Sequence, residues 1–97
     1  MTRDEAEAII VRIASFEIPL KRTPHGWERA SVRGFSQADV IAILRTHVTE
    51  GSPRWNERHS RYRVSLRGKC LRGRPTRVIL DLHADGPNTL VTIMVVS

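Results

Sequence analysis

Three residues define the chemistry open to this chain: His25, Arg29 and Arg33, spaced i, i+4, i+8. On a single helix that spacing lines one imidazole and two guanidiniums along one side. A histidine can take or give a proton near neutral pH, and an arginine fork holds phosphate oxygens in bidentate fashion. Cleaving an RNA phosphodiester calls for such a set. One group takes the proton of the 2′-hydroxyl, one protonates the departing 5′-oxygen, and cations stabilise the crowded phosphorane. Two helical arginines also serve as a plain solvated face beside Glu28, so the row gains meaning only from a second basic element. The segment 61–67 supplies one: Arg61, Arg63 and Arg67 alternate with Tyr62, Val64 and Leu66. Thr92, polar within an apolar run, is either a β-former with a satisfied hydroxyl or a hydroxyl aimed into a site. His83, on the same side of its strand as Asp81, is a weaker second imidazole.

Other chemistries lack their patterns. His25, His47, His59 and His83 show no ligand-like spacing, and the single Cys70 permits neither an internal disulfide nor a thiolate zinc site. Arg67-Gly-Lys and Arg72-Gly-Arg-Pro lack the glycine spacing and the Ser/Thr of a phosphate loop, and no nucleophile elbow is present. No cofactor is expected. The chain has 97 residues and a formal net charge of +6, with Lys21 and Lys69 its only lysines among 16 basic residues. A GC-rich genome accounts for an Arg/Lys ratio of this kind but not for the net charge, which points to nucleic acid or another polyanion. With no long apolar run and no signal-like start, no membrane span is expected and a cytoplasmic location is the expectation.

The elements that must position these residues follow from periodicity. Thr2 and Glu5 form a capping-box pattern ahead of an apolar stripe of Ala6, Ile9, Ile10, Ile13 and Phe16, which predicts a helix over about 3–16. Pro19 ends it, and 19–24 is a connector, in part extended. A short helix over 25–33 follows, stopped by Gly34. Ser36 and Asp39 then open a third helix whose apolar face of Val40, Ile41, Ile43, Leu44 and Val48 runs up to Gly51. Segment 51–60 is rich in turn-formers and reads as a loop, with Trp55 either a cap over the core or an exposed stacking platform. After residue 60 the period drops to two. Strands are predicted over 61–67, 76–83 and 89–96, joined by turns at 72–75 and 85–88. The last is apolar enough for a central strand covered on both faces.

The segment His25-x-x-x-Arg29-x-x-x-Arg33-Gly34-Phe35-Ser36-x-x-Asp39-Val40 resembles the pattern His-x-x-x-Arg-x-x-x-Arg-Gly-Ile-Ser-x-x-Asp-Val of a bacterial domain family of unknown function. That family is similar to the RelE-like branch of the barnase, EndoU, colicin and RelE superfamily of metal-independent ribonuclease toxins. Tyr62-Arg63-Val64 and Val91-Thr92-Ile93 stand where its tyrosine-bearing strand and terminal strand are expected, while Met94 takes the place of a final tyrosine. Lys21-Arg-Thr-Pro-His25 is also similar to a stretch in the MqsR-type mRNA interferases. The resemblance implies His25, Arg29, Arg33 and Thr92 as catalytic residues, with Thr92 an orienting group. It also implies Arg61, Tyr62, Arg63 and Arg67 as RNA contacts.

The expectation is therefore a single α+β domain over 1–97, with helices packed on one face of a twisted antiparallel sheet of three to five strands. The open face and the His25 segment should form a basic cleft, with His25 facing the basic side within reach of Arg63 or Arg67. The expected activity is a metal-independent endoribonuclease of toxin type, with RNA as substrate and an acidic antitoxin or immunity protein as partner. The alternatives are a non-catalytic RNA- or DNA-binding protein and an inactive toxin-fold interaction module.

Overall fold

The structure, a computed structural model, describes residues 1–21 and 23–96; Arg22, within the Lys21–His25 stretch, lies outside the described residues. Helix α1 (Arg3–Ala14) begins as its sequence dictates: Thr2 Oγ1 accepts from Glu5 N, and Thr2 N donates to Glu5 Oε1, each at 3.1 Å. It buries Ala6, Ile9, Ile10, Ile13 and Ala14. It stops two residues earlier than its apolar stripe. Glu17 N donates to Arg12 O and Phe16 N to Ile13 O, which closes a Schellman turn with Phe16 at φ 60°.

A two-residue strand, β1 (Leu20–Lys21), leads into helix α2 (Pro24–Val32), capped by the hydroxyl of Thr23. This helix closes with the same hydrogen-bond pattern, here with Gly34 at φ 80° in the left-handed position that a glycine occupies without strain. Ser36 and Asp39 form the second capping box and open α3 (Gln37–Arg45). That helix ends at Arg45 rather than near Gly51. Thr46 caps it, and from Val48 the β-branched run alternates outward and inward, with Thr49 buried and Val48 exposed.

The remaining strands are β2 (Val48–Asn56), β3 (Arg61–Lys69), β4 (Pro75–Leu82) and β5 (Asn88–Val95). Much of the segment read as a loop is thus the second half of β2. Gly51-Ser-Pro53 interrupts the pairing between Glu50 and Arg54, after which Arg54, Trp55 and Asn56 resume register with Arg63, Tyr62 and Arg61. A proline at such a break is tolerated because β2 is an edge strand. The sheet order is β1-β5-β4-β3-β2. The fold is α+β with helices on one sheet face, but the sheet is mixed, because β1 runs parallel to β5. Strand β5 is interior, as its apolar run suggests, yet Val91 and Met94 stay half-buried, so only its helix-side face belongs to the core.

Paired residues of antiparallel strands share a face. Val64, Leu66, Val78, Leu80, Leu82, Leu90 and Ile93 meet α1, Ala30 of α2, and Val40, Ile43 and Leu44 of α3 in one core. No helix among the described residues is long and apolar enough to cross a membrane.

A polar stitch ties α1 to the start of β2. Glu7 accepts from the Thr49 hydroxyl and lies 2.5 Å from His47 Nε2, while His47 Nδ1 lies 2.5 Å from Leu44 O. Arg3 Nη2 donates to Thr49 O at 3.0 Å. Partial burial pushes the Glu7 carboxyl up, but the bonds from Thr49 and His47 outweigh it and hold the group below its ordinary value of 4.5. A carboxyl depressed in the folded state adds stability above its unfolded pKa and loses it as the pH falls through the folded value. The stability gap between the native chain and Glu7→Gln is therefore expected to be full at pH 7 and to shrink below about pH 4.5. Urea midpoints from pH 3 to 7 check this; a gap independent of pH would refute it.

Candidate functional site

The site begins with how α2 meets the sheet. Among the described residues, β5 has no strand on its outer side from Leu90 onward, where β1 pairs with Asn88 and Thr89. Helix α2 covers that edge. Gly26 and Ala30 face it and are buried, and a Cβ on Gly26 would overlap the Leu90 carbonyl oxygen. Thr23 Oγ1 donates to Leu90 O at 3.2 Å while accepting from Gly26 N, so one hydroxyl caps the helix and docks it. At the other end Arg33 Nη1 donates to Ile93 O at 2.5 Å and to Thr92 Oγ1 at 3.2 Å.

Helical geometry then orients the row. With Gly26 and Ala30 on β5 and Trp27 turned toward the core, His25 and Arg29 point the opposite way, to the margin of the open sheet face. Both are exposed, and neither makes a side-chain hydrogen bond or ion pair to another described residue. Arg33 keeps its Nε and Nη2 hydrogens free of described partners. Of the four residues expected at a catalytic centre, Arg33 and Thr92 are in contact, and Thr92 is buried at 7 % exposure. A slip in the β4–β5 register makes Thr92, not Val91, the partner of Ile79, and this places Thr92 on the open face.

The open face carries the second basic element. Register puts Arg54 opposite Arg63, and Arg67 opposite Arg77. Like charges directly across a ladder repel. Two carboxylates relieve them in part. Asp81, nearly buried, accepts from Arg63 Nε at 2.9 Å and from Nη2 at 3.2 Å, and this fork raises the Arg63 pKa further. Glu50 accepts from Arg77 Nε at 2.8 Å and Nη2 at 3.2 Å, from the Ser65 hydroxyl at 3.0 Å, and pairs with Arg67 Nε at 3.4 Å. Those partners, Arg77 first, hold its carboxyl below the ordinary value against the opposing effect of burial. Arg54 has no carboxylate partner among the described residues. Arg61 is spent on the turn, donating to the carbonyls of His59, Ser60 and Pro87.

Arg63 and Arg67 lie on β3, two strands in from β5, or roughly 10 Å at ordinary strand spacing. His25 makes no contact with either; β4 and β5 intervene. The α2 row and the β3 arginines are thus two separate basic groups. Tyr62 faces the helix side, opposite to Arg61 and Arg63, and packs edge-on against Trp55 with ring centres 5.0 Å apart. Trp55 itself is 50 % exposed, so it does not cap the core, and it lines a pocket together with Arg54 and Arg63. His83 accepts from Asp85 N at 3.2 Å and stays at the β4 turn.

Sequence reasoning missed Arg77 and Glu50, which organise the open face. The signal for Arg77 was its place in the alternation of 76–83; Glu50 fell in a segment read as the end of a helix. Among the described residues no three His, Cys, Asp or Glu side chains gather as metal ligands.

Comparison with curated proteins and with solved structures returns no match. The sequence model of DUF4258, a domain of unknown function, matches residues 23–95, from the cap of α2 to the end of β5. That span takes in both the α2 row and the arginine face, and the chain belongs to the DUF4258 family.

Proposed function

We propose that the protein is a metal-independent endoribonuclease of toxin type that binds RNA across the open sheet face and cleaves it at the α2 row. The observation that carries this reading is the charge of that face. Arg54, Arg61, Arg63, Arg67 and Arg77 share it with the carboxylates Glu50 and Asp81, and Arg58 and Glu57 adjoin at its β2 end, so cations outnumber carboxylates among the described residues. Opposed arginine pairs in a sheet make sense where an outside polyanion completes the neutralisation. The resemblance of the His25–Val40 segment to a family akin to RelE-like toxins supports the same reading.

In this proposal the His25 imidazole takes the proton from a 2′-hydroxyl as that oxygen attacks the adjacent phosphorus. The P–O5′ bond breaks, and the departing 5′-oxygen receives a proton from the imidazolium or from water, leaving a 2′,3′-cyclic phosphate and a 5′-hydroxyl. Arg29 and the free edge of Arg33 stabilise the phosphorane. Thr92 positions the Arg33 fork without touching the reacting atoms. An acidic antitoxin or immunity protein is the matching partner for the basic face.

A second reading has its own support. Arg63, Arg67 and Arg33 are all held by protein groups, as in a fixed binding surface that performs no chemistry. This is the non-catalytic RNA- or DNA-binding protein, or an inactive toxin-fold module.

Incubation with total RNA in EDTA, with and without ribosomes, separates the two. Cleavage is expected, with cyclic phosphate termini, and His25→Ala is expected to slow it by roughly 10²- to 10⁴-fold. RNA left intact under both conditions would remove the ribonuclease reading.

Binding has its own test. A single strand touching about four phosphates is expected to lose roughly fiftyfold in affinity between about 50 and about 200 mM salt. Arg54→Glu should weaken binding and flatten that slope, measured by anisotropy of a labelled uridine oligomer. An affinity indifferent to salt would exclude the open face as a polyanion site.

A further inference from the structure

On the opposite side of the molecule, between α1, α3 and the β1–α2 connection, lies an apolar groove of about 720 Å³. Its walls include Phe16, Trp27, Ala38, Ile41 and Leu71, and among the described residues Arg45 is its only charged lining residue. We propose that this groove docks an amphipathic segment of an acidic partner protein.

Two features distinguish it from ordinary surface. Phe16 occupies the left-handed C′ position of α1, where a bulky side chain is an outlier, and it is 72 % exposed. Leu71, at the other rim, is 65 % exposed. A strained, exposed phenylalanine beside an exposed leucine, over an apolar floor, has the form of a groove that receives anchors at helical spacing.

Charge selects the occupant. Arg45 lies over the Phe16 ring, 5.7 Å from its centre, and so sets a cation at the mouth of the groove. No carboxylate lines the groove among the described residues. The nearby Asp39 is already bonded to Ser36 and to Leu71 N, while Glu17 and Glu28 adjoin lining residues without lining it. A second copy of this chain, with its +6 charge, would be repelled. A segment with apolar anchors flanked by Asp or Glu matches both floor and rim. The inference is independent of the RNA reading, because the groove is on the helix layer and not on the arginine face.

The test is selection from a displayed library of random peptides of about 16 residues on the immobilised full chain. Enriched sequences are expected to carry apolar side chains at i, i+3 or i+4 together with an excess of Asp and Glu, and to shift Trp27 fluorescence on binding. Ala38→Glu, at an exposed position in the first turn of α3, is expected to weaken them about tenfold by placing a carboxylate in the groove. Arg45→Gln should weaken them and reduce their salt dependence, whereas Arg54→Glu on the open face should leave them unchanged. Thermal melts establish that the variants fold. Enrichment of basic or charge-neutral sequences, no enrichment, or affinity unchanged in Ala38→Glu would overturn the proposal. Concentration-dependent dimers that Ala38→Glu dissolves would assign the groove to a second copy and overturn it equally.

Discussion

An incomplete sheet edge governs the arrangement of the candidate site. Strand β5 needs acceptors and donors satisfied on both sides, and among the described residues β1 offers Leu20 and Lys21. A helix cannot extend a ladder with its own backbone, since those groups are used internally. Helix α2 solves this with side chains: the Thr23 hydroxyl takes the Leu90 carbonyl and the Arg33 guanidinium takes that of Ile93. The helix must lie close for either to reach, which is why Gly26 and Ala30 face the strand. Once Gly26, Ala30 and Arg33 are fixed, the 100° step between residues leaves no freedom in where His25 and Arg29 point. The placement of this row is a by-product of edge protection.

On the open face the carboxylates act as positioners rather than as neutralisers. Exposed ion pairs contribute little net stability, typically about 0–1 kcal/mol. What Asp81 and Glu50 do instead is hold the planar forks of Arg63 and Arg77 in defined orientations, each with two hydrogen bonds. Asp81 is the more rigid anchor, with its side chain 7 % exposed against 32 % for Glu50. Glu50 in turn depends on the break in β2 that follows it, because the register on its near side brings it opposite Ser65, beside Arg67 and Arg77. The face thus presents the held guanidiniums of Arg63 and Arg77, Arg67 beside Glu50, and Arg54, which has no carboxylate partner among the described residues.

Much of this could be read from residues alone, and the failures have local causes. The capping pairs Thr2–Glu5 and Ser36–Asp39 fixed two helix starts, because a side chain that satisfies an orphan N–H acts within three residues. The period-two alternation of 61–67 identified both faces of β3 correctly. Helix ends were harder: Phe16 sits where glycine is usual, and Val48 fits the apolar stripe of α3 although it faces solvent in β2. The strand content of 51–56 was invisible because Gly51, Ser52 and Pro53 are turn-formers locally, and only pairing with β3 makes them a bulge. For the site, the spacing of His25, Arg29 and Arg33 carried their shared side, but nothing local joins Arg33 to Thr92, 59 residues away. That contact exists because a register slip in β5 turns Thr92 toward the helix terminus.

The two surfaces differ in the physics that would set their affinities. The open face offers fixed cations separated by strand spacings, so its interactions are long-ranged, screened by salt and indifferent to side-chain shape. The groove offers apolar floor and a single cation over Phe16, so its interactions are short-ranged and depend on fit. Helix α2 belongs to both, giving Trp27 to the groove and His25, Arg29 and Arg33 to the margin of the open face. One nine-residue helix, docked through a glycine and an alanine, therefore positions both sets of side chains.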